Sequence, residues 1–303
     1  MFILAIAIPL MPARADLRVD ITRGQVEPMP VAVSDLFGKS DDEVKFGRRI
    51  AEVVARNLER SGLFRPIDQR AYIQRPEAML SGPRFADWRQ INAQALVTGK
   101  VRIVAGDELE VEFRLWDIFA EQHLVGLRLG SVTSQWRRIA HKVTDAIYER
   151  LTGEVGYFDT RIVYIAETGP LDARIKRLAI MDQDGENLRF LSDGNRLVLT
   201  PRFSPTAQEI TYLFYDQGIP RVYLRKIDSG QREVLGNFPG MTFAPRFSPD
   251  GNSVVLTYAA DGNSDLFEMD LRSRKVRRLT DNGAIDTAPS YSPDGQQIVF
   301  ESD

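Results

Sequence analysis

The pattern of apolar positions divides the chain into a first half with both helical and strand-like periods and a second half with strand-like periods only. In the first half, apolar residues recur at helical spacing after Ser40–Glu43, which has the form of a capping box, and again over 135–151. These two stretches predict long amphipathic helices that end at Ser61-Gly62 and Thr152-Gly153. A shorter helix is predicted over 85–92.

Stretches that alternate between apolar and polar residues predict the strands of the first half. Residues 16–23 alternate and predict a half-buried strand, and Met29–Val33 predicts a second strand with Pro30 at a sheet edge or at the strand's own start. Further extended segments, with a hairpin turn at 105–107, are predicted over 63–67, 95–104, 108–117 and 122–129. Together these elements predict an α+β domain over 16–153, in which helices pack against a mixed sheet.

One motif recurs three times in the second half. Pro201-Arg202-Phe203-Ser204-Pro205 returns as Pro245-Arg246-Phe247-Ser248-Pro249 and then as Pro289-Ser290-Tyr291-Ser292-Pro293, with an offset of 44 residues each time. A period near 44 residues accommodates four short strands and their turns, so we predict an all-β propeller over 160–303, joined to the first domain by a packed linker over 154–159. In the second and third copies the motif continues with Asp-Gly, and this Ser-Pro-Asp-Gly sequence predicts a type I turn between the first two strands of a blade.

The two ends of the chain carry separate predictions. Two complete repeats and two partial ones do not close a ring, so we expect a propeller truncated to about three blades within a longer protein. At the other end, Met1–Met11 is apolar but too short to span a bilayer, and Ala13-Arg14-Ala15 resembles a cleavage site. We predict a signal peptide over 1–15, with a buried strand as the alternative. Because basic residues do not precede the apolar run, the true translation start would lie upstream.

Composition narrows the classes of function. The net charge is −3, with 39 basic and 42 acidic residues well mixed, which argues against nucleic-acid binding and against a polybasic membrane patch. The sequence contains no cysteine, which excludes disulfides, thiol catalysis and cysteine-ligated zinc. With no second long apolar run, we expect no direct membrane insertion of the mature protein.

Candidate chemistry is sparse, and we expect no catalytic residue, metal or cofactor. His123 follows a predicted turn and His141 is expected on the polar side of the second long helix, without a metal-ligand spacing or a nucleophile elbow. Asp182 and Asp270 share a repeat position, so a cation in the propeller channel stays an open alternative. A binding surface is therefore the best functional candidate. The segments that enter each repeat include Met241 and Phe243, whose apolar side chains we predict on loops that contact a protein partner. The alternative is that these side chains pack between blades.

Several stretches together carry a resemblance to a known family. They are an exported α+β domain with Ile147–Gly153 at its end, then Thr160–Ile165, then the Pro-x-Phe-Ser-Pro-Asp-Gly repeats. In this order they resemble the TolB family of periplasmic proteins of the Tol-Pal envelope system. Many six-bladed propellers share the repeat alone, including those fused to peptidases. The order of the α+β domain before the propeller is more specific.

The resemblance implies a six-bladed, non-catalytic binding protein. It would link TolA at the inner membrane to Pal, the peptidoglycan-associated lipoprotein, and support envelope integrity and outer-membrane constriction during cell division. Other outer-membrane proteins are further candidate partners. The alternative is the propeller domain of a peptidase or lyase whose catalytic part lies outside this sequence.

The resemblance also implies two sets of site residues. By position, the TolA-binding segment would be Asp16, Leu17, Arg18, Val19, Asp20 and Ile21. Pal would dock on propeller loops just before the repeated motif, which gives Thr200, Met241, Ala244 and Thr287. Some relatives carry a histidine where this chain has Met241, so the polar part of that contact would differ here.

Overall fold

A computed structural model of the protein describes residues 17–19, 27–104 and 106–303. The predicted signal peptide and residue 105 of the predicted hairpin turn lie outside the described residues. The chain forms two compact units, Met1–Thr160 and Arg161–Asp303. Within the part that is described, no helix combines the length and the hydropathy needed to cross a membrane.

The first unit contains a five-stranded sheet. Its strands are, in chain order, β1 (Met29–Val33), β2 (Phe64–Pro66), β3 (Ala95–Ile103), β4 (Glu108–Asp117) and β5 (Gln122–Val132). The spatial order is β2-β1-β3-β4-β5; β1 runs parallel to both of its neighbours, and the other pairs are antiparallel. The predicted mixed sheet is therefore confirmed. Since β1 is internal, Pro30 lies at the start of its strand and not at a sheet edge.

Three α-helices cover this sheet: α1 (Asp41–Arg60), α2 (Phe85–Gln90) and α3 (Trp136–Thr152). Short 3-10 helices span Gln69–Ala71, Pro76–Met79 and Thr133–Gln135. α1 begins at the predicted capping box, and α3 ends at Gly153, whose φ of 82° is favourable for glycine. The largest core lies between α1, α3 and one face of the sheet, and includes Ile50, Leu58, Val97, Leu109 and Ile147. The other face packs on α2 through Trp88, Leu96 and Ile118.

His141 is buried, which corrects the prediction that it lies on the polar side of its helix. Only 1% of the residue is exposed, and its Nδ1 lies 2.9 Å from Nδ2 of Asn57 on α1. The same Asn57 nitrogen donates to the hydroxyl of Thr144 at 3.2 Å. A pattern of hydropathy misses such a residue because a polar side chain on the core face has the same signature as a solvated one.

Residues 154–159, the predicted linker, are held against α3. The carboxylate of Asp145 accepts the backbone N–H groups of Phe158 and Asp159 at 2.6 and 3.0 Å. The Phe158 side chain is buried in the core of the first unit and packs edge-on against Tyr148. These contacts describe an ordered, packed segment in place of a free tether.

The second unit consists of antiparallel sheets that follow one another along the chain. A three-stranded sheet holds β6 (Arg161–Thr168), β7 (Ile175–Asp182) and β8 (Arg189–Phe190). Two four-stranded sheets follow, with β9 (Val198–Phe203), β10 (Glu209–Asp216), β11 (Ile219–Lys226) and β12 (Arg232–Val234), then β13 (Met241–Phe247), β14 (Ser253–Ala260), β15 (Asn263–Asp270) and β16 (Val276–Arg278). The last sheet pairs β17 (Thr287–Tyr291) with β18 (Ile298–Glu301). This arrangement confirms the predicted propeller blades.

Packing between successive blades forms the cores of the second unit. One cluster lies between the first two sheets and includes Leu178, Ile180, Val198, Ile210 and Tyr212. The next joins the second and third sheets and includes Val222, Leu224, Val254, Leu256 and Met269. The first strand of each blade contacts the first strand of its neighbour, so β6, β9, β13 and β17 lie side by side. We call these four the inner strands.

The repeated Ser-Pro-Asp-Gly sequence forms the predicted turn. In the third blade Gly251 N–H donates to the Ser248 carbonyl at 2.9 Å, and Gly251 has a φ of 72° that suits a residue without Cβ. The Asp250 carboxylate accepts the backbone N–H of Asn252 at 3.0 Å. The fourth blade repeats this geometry, with a φ of 72° at Gly295. The motif therefore has a structural role in the blade.

Candidate functional site

The amino-terminal segment is the first candidate surface. Of its six predicted TolA-binding residues, Leu17, Arg18 and Val19 are described, whereas Asp16, Asp20 and Ile21 lie outside the described residues. The described three are not in a β-strand, which corrects the prediction for them. The physical reason is their backbone partner, because Val19 N–H donates at 2.8 Å to the carbonyl of Leu151 in the last turn of α3.

This contact provides a hydrogen-bond donor for a carbonyl at the carboxyl end of α3. The last four carbonyls of an α-helix have no partner within the helix, and Leu151 is the second-last residue of α3. Val19 is 7% exposed within the core of the first unit, Leu17 packs against the same core, and Arg18 is exposed. The alternation seen in the sequence is thus real, but it follows docking on a helix end and not pairing in a sheet.

Aromatic rings surround the same part of α3. Tyr148 makes edge-on contacts with Phe64, Tyr157 and Phe158, at centroid distances of 6.2, 5.5 and 5.7 Å. Burial raises the pKa of the Tyr148 hydroxyl further above physiological pH. The segment therefore docks on a unit whose surface near α3 is apolar and closely packed.

The inner strands of the second unit form the second candidate surface. Thr200, Ala244 and Ala288 occupy the same repeat position and have positive φ values of 46°, 50° and 52°. At each of them the pairing with the next strand shifts register, as in a β-bulge. A left-handed conformation at residues other than glycine is strained by about 1–2 kcal/mol, and strain of this kind concentrates at functional positions.

The structure corrects where the predicted Pal-binding residues lie. All four are in inner strands and not in loops: Thr200 in β9, Met241 and Ala244 in β13, and Thr287 in β17. Phe243, also predicted on a loop, is in β13 as well. The bulge interrupts the alternation of side chains along each strand, which is why the sequence resembled a loop there.

Ala288 is a residue that the predicted set missed. It is the counterpart of Thr200 and Ala244 by both spacing and φ, whereas Thr287 lies one position earlier. The constant offset of 44 residues was the signal that could have found it. Met241, at the start of β13, is 45% exposed, so this surface has an accessible apolar side chain.

Two arginines that the predicted set also missed give the inner strands a positive charge. Arg202 and Arg246 have the same repeat position, and each donates through Nη1 to the carbonyl of the proline before it at 3.0 Å. Burial, and then the positive charge of Arg202, lower the pKa of Arg246 from its usual value. Among the described residues neither arginine has a carboxylate in ion-pair range, so an acidic group on a partner would complement this surface.

The chain matches two family models in the order in which its units occur. A model described as the TolB amino-terminal domain matches residues 17–124, and one described as the TolB beta propeller domain matches residues 148–303. The first match covers β1 to β4, α1 and α2 of the first unit. The second covers all the blades.

Individual relatives agree with the family models. The chain is 60% identical over 234 residues to the Tol-Pal system protein TolB of Paramagnetospirillum magneticum, covering 77% of this chain and 52% of that protein. It is 55% identical over 252 residues to the Tol-Pal system protein TolB of Pelagibacter ubique, covering 80% and 56%. The chain thus spans about half the length of these curated relatives.

A solved structure carries the likeness across both units. The crystal structure of TolB from Acinetobacter baumannii superposes with a TM-score of 0.77 at 31% identity, covering 95% of this chain and 69% of that one. Sequence and architecture therefore agree over nearly the whole chain. On these matches, the chain belongs to the TolB family.

Proposed function

We propose that this protein is a non-catalytic component of the Tol-Pal system, which links TolA at the inner membrane to Pal and acts in the periplasm. In this role it supports envelope integrity and outer-membrane constriction during cell division. The observation that carries the proposal is the 60% identity, over 77% of this chain, to a protein named for the Tol-Pal system. The two candidate surfaces would be the binding sites for TolA and Pal.

The burial of His141 supports a role without catalysis. His141 is buried and lies against Asn57, and His123 packs edge-on against Trp116 with ring centroids 5.3 Å apart. His141 is thus part of the packing of the first unit, whereas His123 on β5 is exposed. A general base needs access to substrate, which a ring that is 1% exposed does not have.

The segment Leu17–Val19 suits a partner that binds by strand addition. The contacts that hold the segment to the first unit include the backbone hydrogen bond of Val19 and the packing of Leu17 and Val19. Alternating side chains on a chain terminus can pair with the edge of another protein's sheet, with main-chain hydrogen bonds supplying affinity. TolA would therefore compete with α3 for Val19.

The inner strands suit a partner with an acidic and partly apolar surface. Met241 offers exposed apolar area, while Arg202 and Arg246 offer positive charge beside the strained positions Thr200 and Ala244. Complementary charge fixes the register of an interface, and buried apolar anchors supply most of its affinity. Pal would bind here.

Isothermal titration calorimetry with TolA and Pal from Paramagnetospirillum magneticum tests both surfaces. Deletion of 16–22 should lower the affinity for TolA at least about tenfold, since it removes the pairing segment. Met241→Asp should lower the affinity for Pal by a similar factor because it places a charge at the apolar contact. The matched controls are Val44→Asp and Leu171→Asp, which change exposed apolar residues that belong to neither assigned surface.

The outcomes separate the parts of the proposal. Binding of neither protein by the unchanged chain would overturn it, and equal losses in the control variants would overturn the assigned surfaces. The deletion also tests coupling between the two sites. If release of the segment alters the Pal surface, the deletion changes the affinity for Pal, whereas an unchanged affinity counts against coupling.

A further inference from the structure

A cavity of about 700 Å³ lies within the second unit, between the first and second blades. Its apolar lining comes from Leu191, Tyr212 and Phe214, which are 9%, 2% and 9% exposed, and Phe190 lies at its exposed margin. The connection between β8 and β9 supplies part of the polar lining, and β11 and β12 supply the rest. This volume falls in the range of small-molecule sites, which combine apolar walls with a few polar groups.

Three arginines line the same cavity: Arg196, Arg225 and Arg232. Among the described residues, none of them has a carboxylate within ion-pair distance. Asp193 is the only acidic residue among the described residues of the lining, which together carry three positive charges and one negative charge. Uncompensated guanidinium groups beside aromatic rings form an environment that favours an anion.

The three guanidinium groups are held in different ways. Arg225 is partly buried and donates through Nη1 to the carbonyl of Leu191 at 2.7 Å, while its Nε is buried without an acceptor among the described residues. The guanidinium of Arg232 lies over the ring of Phe214, 5.1 Å from the centroid. Arg196 is exposed on the connecting segment. A hydrogen bond to a carbonyl and a ring contact orient these groups but do not neutralise their charge.

Asp193 is already engaged within its own turn. Its carboxylate accepts the backbone N–H of Asn195 at 3.0 Å and the side-chain amide at 2.8 Å. These bonds, with the backbone N–H of Asn195 first, hold the pKa of Asp193 below its usual value. The carboxylate therefore stays ionised at neutral pH and shapes the turn, and the arginines keep the capacity to bind another anion.

We propose that this cavity binds a small organic anion, with a carboxylate or a phosphate monoester against the arginines and a planar apolar part against the aromatic rings. Arg196 and Arg232 contact the anionic group, and Arg225 supplies further positive charge at the wall. Tyr212 and Phe214 select for the apolar part. The lining shares no residue with either proposed partner surface, and the proposal does not depend on the proposed function.

Calorimetry with benzoate, phenyl phosphate and inorganic phosphate in low-salt buffer tests the proposal. We expect benzoate or phenyl phosphate to bind with a Kd of about 1 mM or tighter, and inorganic phosphate to bind more weakly because it lacks the apolar part. The tighter of the two aromatic anions identifies the preferred group. The double variant R196A/R232A should lower the affinity roughly tenfold or more.

Two further variants separate a built site from general attraction. Arg272→Ala removes an exposed arginine of the same unit outside the cavity and should leave the affinity unchanged. Asp193→Asn keeps an acceptor for the turn, removes the one negative charge and should raise the affinity about threefold. Absence of binding by all three probes would overturn the proposal, as would equal losses in R196A/R232A and R272A. Melting temperatures near that of the unchanged protein confirm that the variants fold.

Discussion

The two units of this protein are stabilised in different ways. The first depends on contacts that occur once: Glu43 caps α1, Asp145 holds residues 158–159 against α3, and Val19 binds the end of α3. In the second unit, the same turn and the same β-bulge recur at an offset of 44 residues. Unique contacts concentrate stability in single residues, whereas repetition distributes it among neighbours.

The largest expected effect comes from a core substitution in each unit. Ile147 and Leu256 are both 0% exposed, and truncation of either to alanine should cost about 2–5 kcal/mol of unfolding free energy. All three tryptophans, Trp88, Trp116 and Trp136, belong to the first unit. Urea unfolding followed by tryptophan fluorescence therefore reports on that unit alone.

Ile147→Ala should lower the urea midpoint of the tryptophan transition by about 1 M or more, and Leu256→Ala should leave it in place. Far-UV circular dichroism should detect the loss in Leu256→Ala, because it follows the strands of the blades as well. If both variants shift the tryptophan transition equally, the two units unfold as one cooperative body and the contrast between them fails.

A smaller effect is expected at Glu43, a contact without a counterpart in the second unit. Burial alone would raise the pKa of this carboxyl, but the backbone N–H groups of Ile103, Lys39 and Ser40 outweigh burial and lower the pKa below 4.5. Because the pKa is lower in the folded state, the ionised carboxyl stabilises the fold when the pH is above 4.5, the pKa in the unfolded chain. This contribution is lost as the pH falls through the pKa of the folded state.

Glu43→Gln should therefore cost roughly 2 kcal/mol at about pH 7, and the cost should shrink at about pH 3. The control is Glu52→Gln on the exposed face of the same helix, which should change stability by less than about 0.5 kcal/mol. Chemical denaturation at both pH values measures the difference. A cost that is independent of pH would show that Glu43 acts through its shape and not through its charge.

Local chemistry explains which elements could be predicted from the sequence. Capping at Ser40–Glu43, the glycine after α3, and the Ser-Pro-Asp-Gly turns depend on neighbouring residues, and the structure confirms them. The strand order of the first unit and the burial of His141 depend on residues far apart in the chain. Those contacts leave no local periodicity, so a pattern of hydropathy could not contain them.

The candidate surfaces show the same limit. The period of 44 residues located the segments that enter each repeat, which we predicted as loops. The positive φ of Ala244 is invisible in a sequence where alanine normally indicates regular structure. The alternation over Leu17–Val19 was visible, yet its partner, the Leu151 carbonyl, is more than a hundred residues away. Main-chain groups are the same in every residue, so only the folded structure identifies such an acceptor.

The smallest expected effect has the opposite sign, and it tests whether the repeated bulge is strained. Ala244→Gly removes the steric strain of a left-handed backbone at alanine. It should raise the unfolding free energy by about 0.5–1 kcal/mol, even after subtraction of the entropic cost of ordering a glycine. Ala259→Gly, at a regular position of β14 paired with Met241, should lower stability by a similar amount. Thermal unfolding followed by circular dichroism measures both. If Ala244→Gly destabilises as Ala259→Gly does, the inner strands carry no strain; if it stabilises and weakens the proposed Pal contact, the strain serves binding.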